Sequence, residues 1–160
     1  MRKNIYNFHL TCFLVIPLLL TSCKTDKVKS NTELLCNANW KLSAFTINPG
    51  VIIGGVTITD YFTQFPPCVL DNIYQYKSNG QSITDEGPSK CSEFDSQSTA
   101  GTWVFNTDET KITEDNTDTY DILQLDDDIF IISSITDGAD IIGIGGIPGV
   151  KYKITQSYKH

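Results

Sequence analysis

Apolar and polar residues alternate in short stretches through most of this chain, and turn-forming residues separate the stretches. Residues 40–47 (WKLSAFTI) open the series as a strand, with Trp40, Leu42 and Ala44 expected on one face. Residues 73–77 and 81–85 follow as a hairpin joined at Asn79-Gly80, a pair that favours tight turns between strands. Strands are then expected over 101–105, 111–114, 120–125 and 129–135, and a last one over 150–156. The separators 106–110, 115–118 and 126–128 are rich in Asn, Asp and Thr, whose side chains bond their own backbone in turns. No stretch has the periodicity of a long amphipathic helix. Evenly spaced strands with hairpin-length links predict an all-β fold, an antiparallel up-and-down β-barrel of about eight strands.

Two segments depart from this alternation. Residues 48–67 read as irregular: an apolar, glycine-bearing run from Val51 to Val56, then Tyr61, Phe62 and Phe65 before Pro66-Pro67. The spacing of the three aromatics suggests one short helical turn, ended by the prolines. Residues 141–149 are again apolar and glycine-rich. Gly143, Gly145 and Gly146 superficially suggest a dinucleotide loop, but Pro148 stands where the third glycine is required and no helix follows. Standing together at one barrel mouth, the two runs would form a ligand portal, a partner surface or a membrane contact; paired as strands, they are ordinary sheet.

The N-terminal segment belongs to targeting rather than to the fold. Arg2 and Lys3 precede an apolar run of about eleven residues, 10–20, interrupted by Pro17. A membrane-spanning helix needs about 20 apolar residues, so this run reads as a signal-peptide core. Leu20-Thr21-Ser22-Cys23 resembles the lipobox of bacterial lipoproteins: an aliphatic residue, two small ones, then the cysteine that is diacylated. The resemblance implies a signal peptide over 1–22, a lipid anchor on Cys23 and attachment to the membrane through it. Residues 23–34 are polar, with Lys24, Lys27 and Lys29, and read as a flexible tether. The barrel domain is expected over 35–160.

Charge and composition narrow the chemistry. The 160 residues suit one domain, and 40% apolar with 11% aromatic residues can build a core. Twelve Lys+Arg against 19 Asp+Glu give a net charge of −7. Loss of Arg2 and Lys3 with the signal leaves ten basic against 19 acidic side chains, a net of −9. No broad cationic surface remains for phosphates, which argues against nucleic-acid binding. Of five cysteines, Cys12 leaves with the signal and Cys23 is the lipid anchor. An exported protein meets an oxidising compartment. Cys68 and Cys91 are the expected disulfide, because both stand at loop ends flanking one hairpin; Cys36 is then a spare thiol just before the first strand. After cleavage His160 is the one histidine left, which removes the commonest general base and metal ligand, and no GxSxG is present.

The order of landmarks after the tether carries a second resemblance. Leu35, Trp40 and Leu42 are followed by Cys68-x2-Asp71-Asn72, Tyr76 and Gly80, then Gly87-x3-Cys91, then Gly101-Thr102-Trp103. Lys111-Ile112-Thr113 and Tyr120-x-Ile122-x2-Leu125 close the order. Over roughly residues 34–156 this is similar to the lipocalin-like domain lipoproteins of Bacteroidetes-type bacteria. The chain departs from that pattern in having Ala38-Asn39 rather than a glycine before Trp40, and in its long apolar 141–149 segment. The resemblance implies a lipocalin-like barrel in the bacterial cell envelope, at the outer membrane.

Trp40, Tyr76, Trp103 and Phe105 lie on strands that would line such a barrel. They serve either as walls of a cavity for a small hydrophobic ligand or as plain core, with Trp40 closing one barrel end. Asp71 and Asn72 read as local backbone partners that start a strand. The acidic groups Asp108-Glu109, Glu114-Asp115, Asp118 and Asp126-Asp127-Asp128 lack the spacing, mid-loop glycine and distal glutamate of a calcium loop, and read as solvated turns. No catalytic residue, metal site or cofactor is expected. Three functions remain open: a non-enzymatic module holding a small hydrophobic ligand in the barrel, an accessory envelope protein acting through its surface on a protein partner, and, third, a carboxylate-based hydrolase, which would need two acids converging in a cleft.

Overall fold

The computed structural model describes residues 28–160; the signal segment, Cys12, the lipobox and Cys23 lie outside the described residues. In chain order the elements are α1 (Asn31–Cys36), β1 (Asn39–Ile53), β2 (Val56–Asp60), a 3-10 turn at Phe62–Gln64 and α2 (Pro67–Leu70). Then come β3 (Ile73–Tyr76), β4 (Gln81–Asp85), β5 (Ser98–Phe105), β6 (Lys111–Glu114), β7 (Asp118–Leu125) and β8 (Ile129–Asp137). A second 3-10 turn at Ile142–Ile144 precedes β9 (Lys151–Lys159). Strands β3 to β9 pair antiparallel in sequence order, and β9 pairs with β1, which also pairs with β3. The result is a closed, eight-stranded, lipocalin-like up-and-down barrel, with β2 added as a hairpin on the far half of β1.

The helix α1 shortens the expected tether. Ser30 and Glu33 form a capping box: the Ser30 hydroxyl accepts from Glu33 N–H at 3.1 Å, and Glu33 Oε2 accepts from Ser30 N–H at 2.9 Å. These bonds satisfy two donors that a helix start leaves orphaned, which holds this short helix in place. Leu35 is fully buried. The indole of Trp40 donates to the Leu35 carbonyl at 2.9 Å, and its ring packs on Phe130 with centroids 5.7 Å apart. Helix and indole together seal one end of the barrel, the end at which the described chain begins; Lys29 there pairs with Asp127 in the β7–β8 turn.

A bulge resets the face of β1. Leu42 pairs with Tyr158 but Ala44 with Ser157, so an extra residue enters β1 between them. Each extra residue reverses the alternation, so Ala44 leaves the face of Trp40 and Leu42, while Phe45 and Ile47 turn inward. The 48–60 stretch is sheet, not irregular chain: β1 runs on to Ile53 and returns as β2 through Gly54-Gly55, both with positive φ. The expected helical turn at Phe62 is present, and the chain from Tyr61 to α2 crosses the wedge where β1 and β3 part after Asn39–Gln75 and Trp40–Tyr74. Phe65 packs edge to face on Phe45 and Tyr61, which are tilted to each other, with centroids 5.2–5.9 Å apart.

The core has two parts. Leu35, Trp40, Leu42, Tyr76, Trp103, Ile112, Phe130, Ile132 and Tyr158 fill the sealed half. Ile47, Val51, Tyr152 and Ile154 form a smaller cluster toward the other end, covered by Ile141, Ile144 and Val150 of the β8–β9 connection. The 51–56 and 141–149 segments do meet, with Ile52 N–H donating to the Gly145 carbonyl at 3.4 Å. Gly145 has φ +91°, and a Cβ there would lie 2.4 Å from the Ile52 carbonyl oxygen. Close contact of these two backbones therefore requires glycine.

Candidate ligand-binding cavity

The register of the ladders places one residue in two on the inner surface. Tyr74 and Tyr76 of β3 face Thr84 and Ser82 of β4; these face Thr99 and Gly101 of β5. Trp103 of β5 pairs with Glu114 of β6, and Phe105 with Ile112. The inner surface thus changes character along the barrel axis: aromatic and aliphatic at the sealed end, hydroxyl-bearing and acidic toward the mouth. Between them lies a cavity of about 300 Å³. Tyr76 and Tyr158 form its floor, Tyr74, Ser82 and Glu114 its walls, and Thr84, Thr99 and Asp115 its rim.

The Tyr76 hydroxyl donates to Glu114 Oε1 at 2.6 Å, and the Tyr158 hydroxyl donates to Gln156 Oε1 at 2.5 Å. The rings of Tyr74 and Tyr158 meet edge to face at 5.4 Å. Burial pushes the Tyr76 and Tyr158 hydroxyls well above the ordinary tyrosine range, with Glu114 adding to the rise in both and Tyr74 also acting on Tyr158. Tyr120 is pushed up to about 12 by burial, then by the charges of Glu114 and Asp118. These phenols stay neutral at physiological pH and act as hydrogen-bonding tips on apolar rings. Burial also raises Glu114 above the usual carboxylate range; the Tyr76 hydrogen bond opposes this, and the nearby Asp115 and Asp118 reinforce it.

Asp115 reaches the rim through a local device. It sits at φ +48° in the β6–β7 turn, and its Oδ1 accepts from the Thr102 N–H at 2.8 Å. A Cβ at Gly101 would lie 2.5 Å from that oxygen and 2.8 Å from the Ser82 hydroxyl, so the glycine leaves space in which the carboxylate sits and a larger residue would make it shift.

The four aromatic candidates separate. Tyr76 lines the cavity; Trp40 is fully buried beneath it in the sealed end. Trp103 packs on Tyr76 and Phe105 and donates from its indole to the Lys77 carbonyl at 3.0 Å. Trp103 and Phe105 border a second, more open depression, which also touches Thr32, Gly80 and Asn106. Glu114 corrects the reading of the acidic groups as solvated turns: its side chain is inside the barrel. The signal was present in the sequence, since Glu114 stands two residues from Ile112 and shares its face. Asp126, in contrast, does serve a turn, accepting from the N–H groups of Asp128 and Ile129 at 2.9 and 2.8 Å.

Cys68 and Cys91 are joined in a disulfide, while Cys36 is a half-buried thiol whose pKa burial raises. The bridge ties α2 to the β4–β5 loop beside the mouth. Asp71 Oδ2 accepts from Ser89 N–H at 3.1 Å. Asn72, with its amide turned to suit its neighbours, donates to the carbonyls of Cys68 and Glu86 at 3.0 and 3.2 Å. Asp71 and Asn72 therefore bind backbone and hold this loop rather than facing a ligand. Among the described residues no group of three or more His, Cys, Asp or Glu is placed to hold a metal ion.

The closed strand order, sealed end and lined cavity define an all-β barrel of lipocalin-like architecture. No protein-family model matches the chain, and no curated protein matches it.

Proposed function

We propose that this chain is a lipid-anchored, non-enzymatic lipocalin-like protein of the bacterial outer membrane, whose barrel holds a small, largely apolar ligand. The observation that carries the binding reading is the cavity of about 300 Å³ walled by tyrosine rings. That volume is at the lower limit of small-molecule sites and suits a guest of about ten non-hydrogen atoms. The lipobox-like Leu20-Thr21-Ser22-Cys23 supports the anchor. Because the described chain starts at the sealed end, a short tether would leave the mouth facing away from the membrane.

Two measurements test this. Mass spectrometry of the N-terminal peptide should find acyl groups on Cys23, and Cys23→Ala should release the protein from membranes. Full chain purified in non-ionic detergent should bind small aromatic molecules with a change in Trp103 fluorescence. Ser82→Phe, or the milder Thr84→Leu, should fill the cavity and abolish that change. Identical responses from wild type and a folded plugged variant would refute the cavity reading.

A second reading has its own observation. Ile52, Ile53, Val56, Ile142 and Ile147 are exposed on two segments that meet each other through the Ile52–Gly145 backbone hydrogen bond. They support a surface for a protein partner, which cross-linking in cells should capture and serine replacements of these residues should lose.

A further inference from the structure

We infer that the cavity is a site for a small organic ammonium ion, with Glu114 as its counter-ion and Tyr74, Tyr76 and Tyr158 as its aromatic walls. This rests on the cavity reading above and adds the charge and chemical class of the guest.

Glu114 places a carboxylate inside a barrel where, among the described residues, the side chains acting on its charge supply no cation. The groups that act on it are the Tyr76 hydroxyl and the acids Asp115 and Asp118. Among the residues lining the cavity, none is Lys, Arg or His. A half-buried carboxylate loses part of its hydration, and the single neutral donor at 2.6 Å compensates only part of its charge. An ammonium group entering from the mouth would complete the pair.

The rings point to the same guest. A cation within about 6 Å of a tyrosine ring centre is attracted by the negative face of the ring, and more so when desolvated. The edge-to-face arrangement of Tyr74 and Tyr158 sets two ring planes at 75° around one side of the cavity. The rim repeats the sign: Asp115 is fixed there by the Thr102 N–H and the space over Gly101. Like charges repel an anionic guest at both levels, and a neutral guest would leave Glu114 without its counter-ion. The net charge of −7 favours approach of a cation as well.

Isothermal titration of the full chain in non-ionic detergent, with three probes of one shape, tests the assignment. The probes are phenethylammonium, neutral 2-phenylethanol and anionic 3-phenylpropionate. Phenethylammonium should bind most tightly. Glu114→Gln keeps an acceptor for Tyr76 and removes the charge; it should weaken phenethylammonium by about tenfold or more while leaving 2-phenylethanol within about twofold. Glu114→Ala gives a second variant should the glutamine be unstable, and cooperative melting confirms folding of either. Displacement of phenethylammonium by phosphatidylethanolamine vesicles would assign the ammonium to a lipid headgroup, and failure to displace it to a free amine. Equal affinity of wild type and Glu114→Gln for phenethylammonium would overturn the inference. So would binding of 2-phenylethanol alone, lost in Ser82→Phe, which would leave the cavity reading standing. Binding of no probe to the wild type would overturn both.

Discussion

Breaking the Cys68–Cys91 bridge by the double replacement Cys68→Ser/Cys91→Ser should lower stability by an amount the loop length sets. The two residues are 23 apart in sequence. The chain-entropy relation for closing a loop of that size gives about 3 kcal/mol, released to the unfolded chain when the link is cut. Roughly 130 folded residues carry a melting entropy of about 0.3 kcal/mol/K, so the melting temperature should fall by about 10 °C. Circular dichroism melts and urea titrations of both proteins read this directly. Wild type under reductant should coincide with the double variant, because Cys36 stands apart from the bridge. The loss should be felt first in the β4–β5 loop, where Glu86 N–H donates to the Gln97 carbonyl at 2.9 Å and should exchange faster with solvent. A fall of less than about 3 °C would refute the reasoning: it would mean that the loop is already restrained in the unfolded chain, or that the bridge strains the native one.

Other expectations follow from single positions. Trp40→Ala should destabilise by about 3–5 kcal/mol in urea, since it empties the sealed end and strands the Leu35 carbonyl; a loss under about 1 kcal/mol would show that the indole does not close the barrel. Gly87→Ala should destabilise by at least about 1–2 kcal/mol, because Gly87 has φ +67° and a Cβ would lie 2.3 Å from the Asp71 carbonyl oxygen; a wild-type melting curve would contradict this. Glu114→Gln should raise the melting temperature at neutral pH. Burial, reinforced by the charges of Asp115 and Asp118, raises the folded pKa of Glu114 against the Tyr76 hydrogen bond. The unfolded chain therefore ionises first as pH rises, and the stability cost is absent below the unfolded carboxylate pKa and complete above the folded one. The gap between variant and wild type should close by about pH 3; a gap independent of pH would show that its cause is not the charge.

Much of this molecule is local and could be read from residues in order. The hairpin at Asn79-Gly80, the strands 81–85 and 111–114, and the aromatic turn before Pro66-Pro67 follow from alternation and turn chemistry, which act over a few residues. Lys111 to Glu114 contains one apolar residue, Ile112, so the pattern identifies the strand yet draws no attention to the acid sharing its face. A helix capped at Ser30 was legible too, in the Ser-x-x-Glu spacing, but a six-residue helix is stable only when Leu35 has a core to enter.

What the linear order determined by itself was an all-β chain of short strands, its turns, and a cysteine pair flanking one hairpin. Only the tertiary structure decided which face of each strand is inside. Alternation has a period of two, so a single extra residue at the β1 bulge exchanges Ala44 for Phe45 and Ile47, and no local preference marks that residue. Closure then sets residues far apart in sequence, Tyr74 and Tyr76 with Glu114 and Tyr158, around one cavity, and brings the 51–56 and 141–149 segments into contact with each other. The reason is physical: burial and charge depend on what lies across the barrel, and that is settled by register and closure rather than by neighbours along the chain.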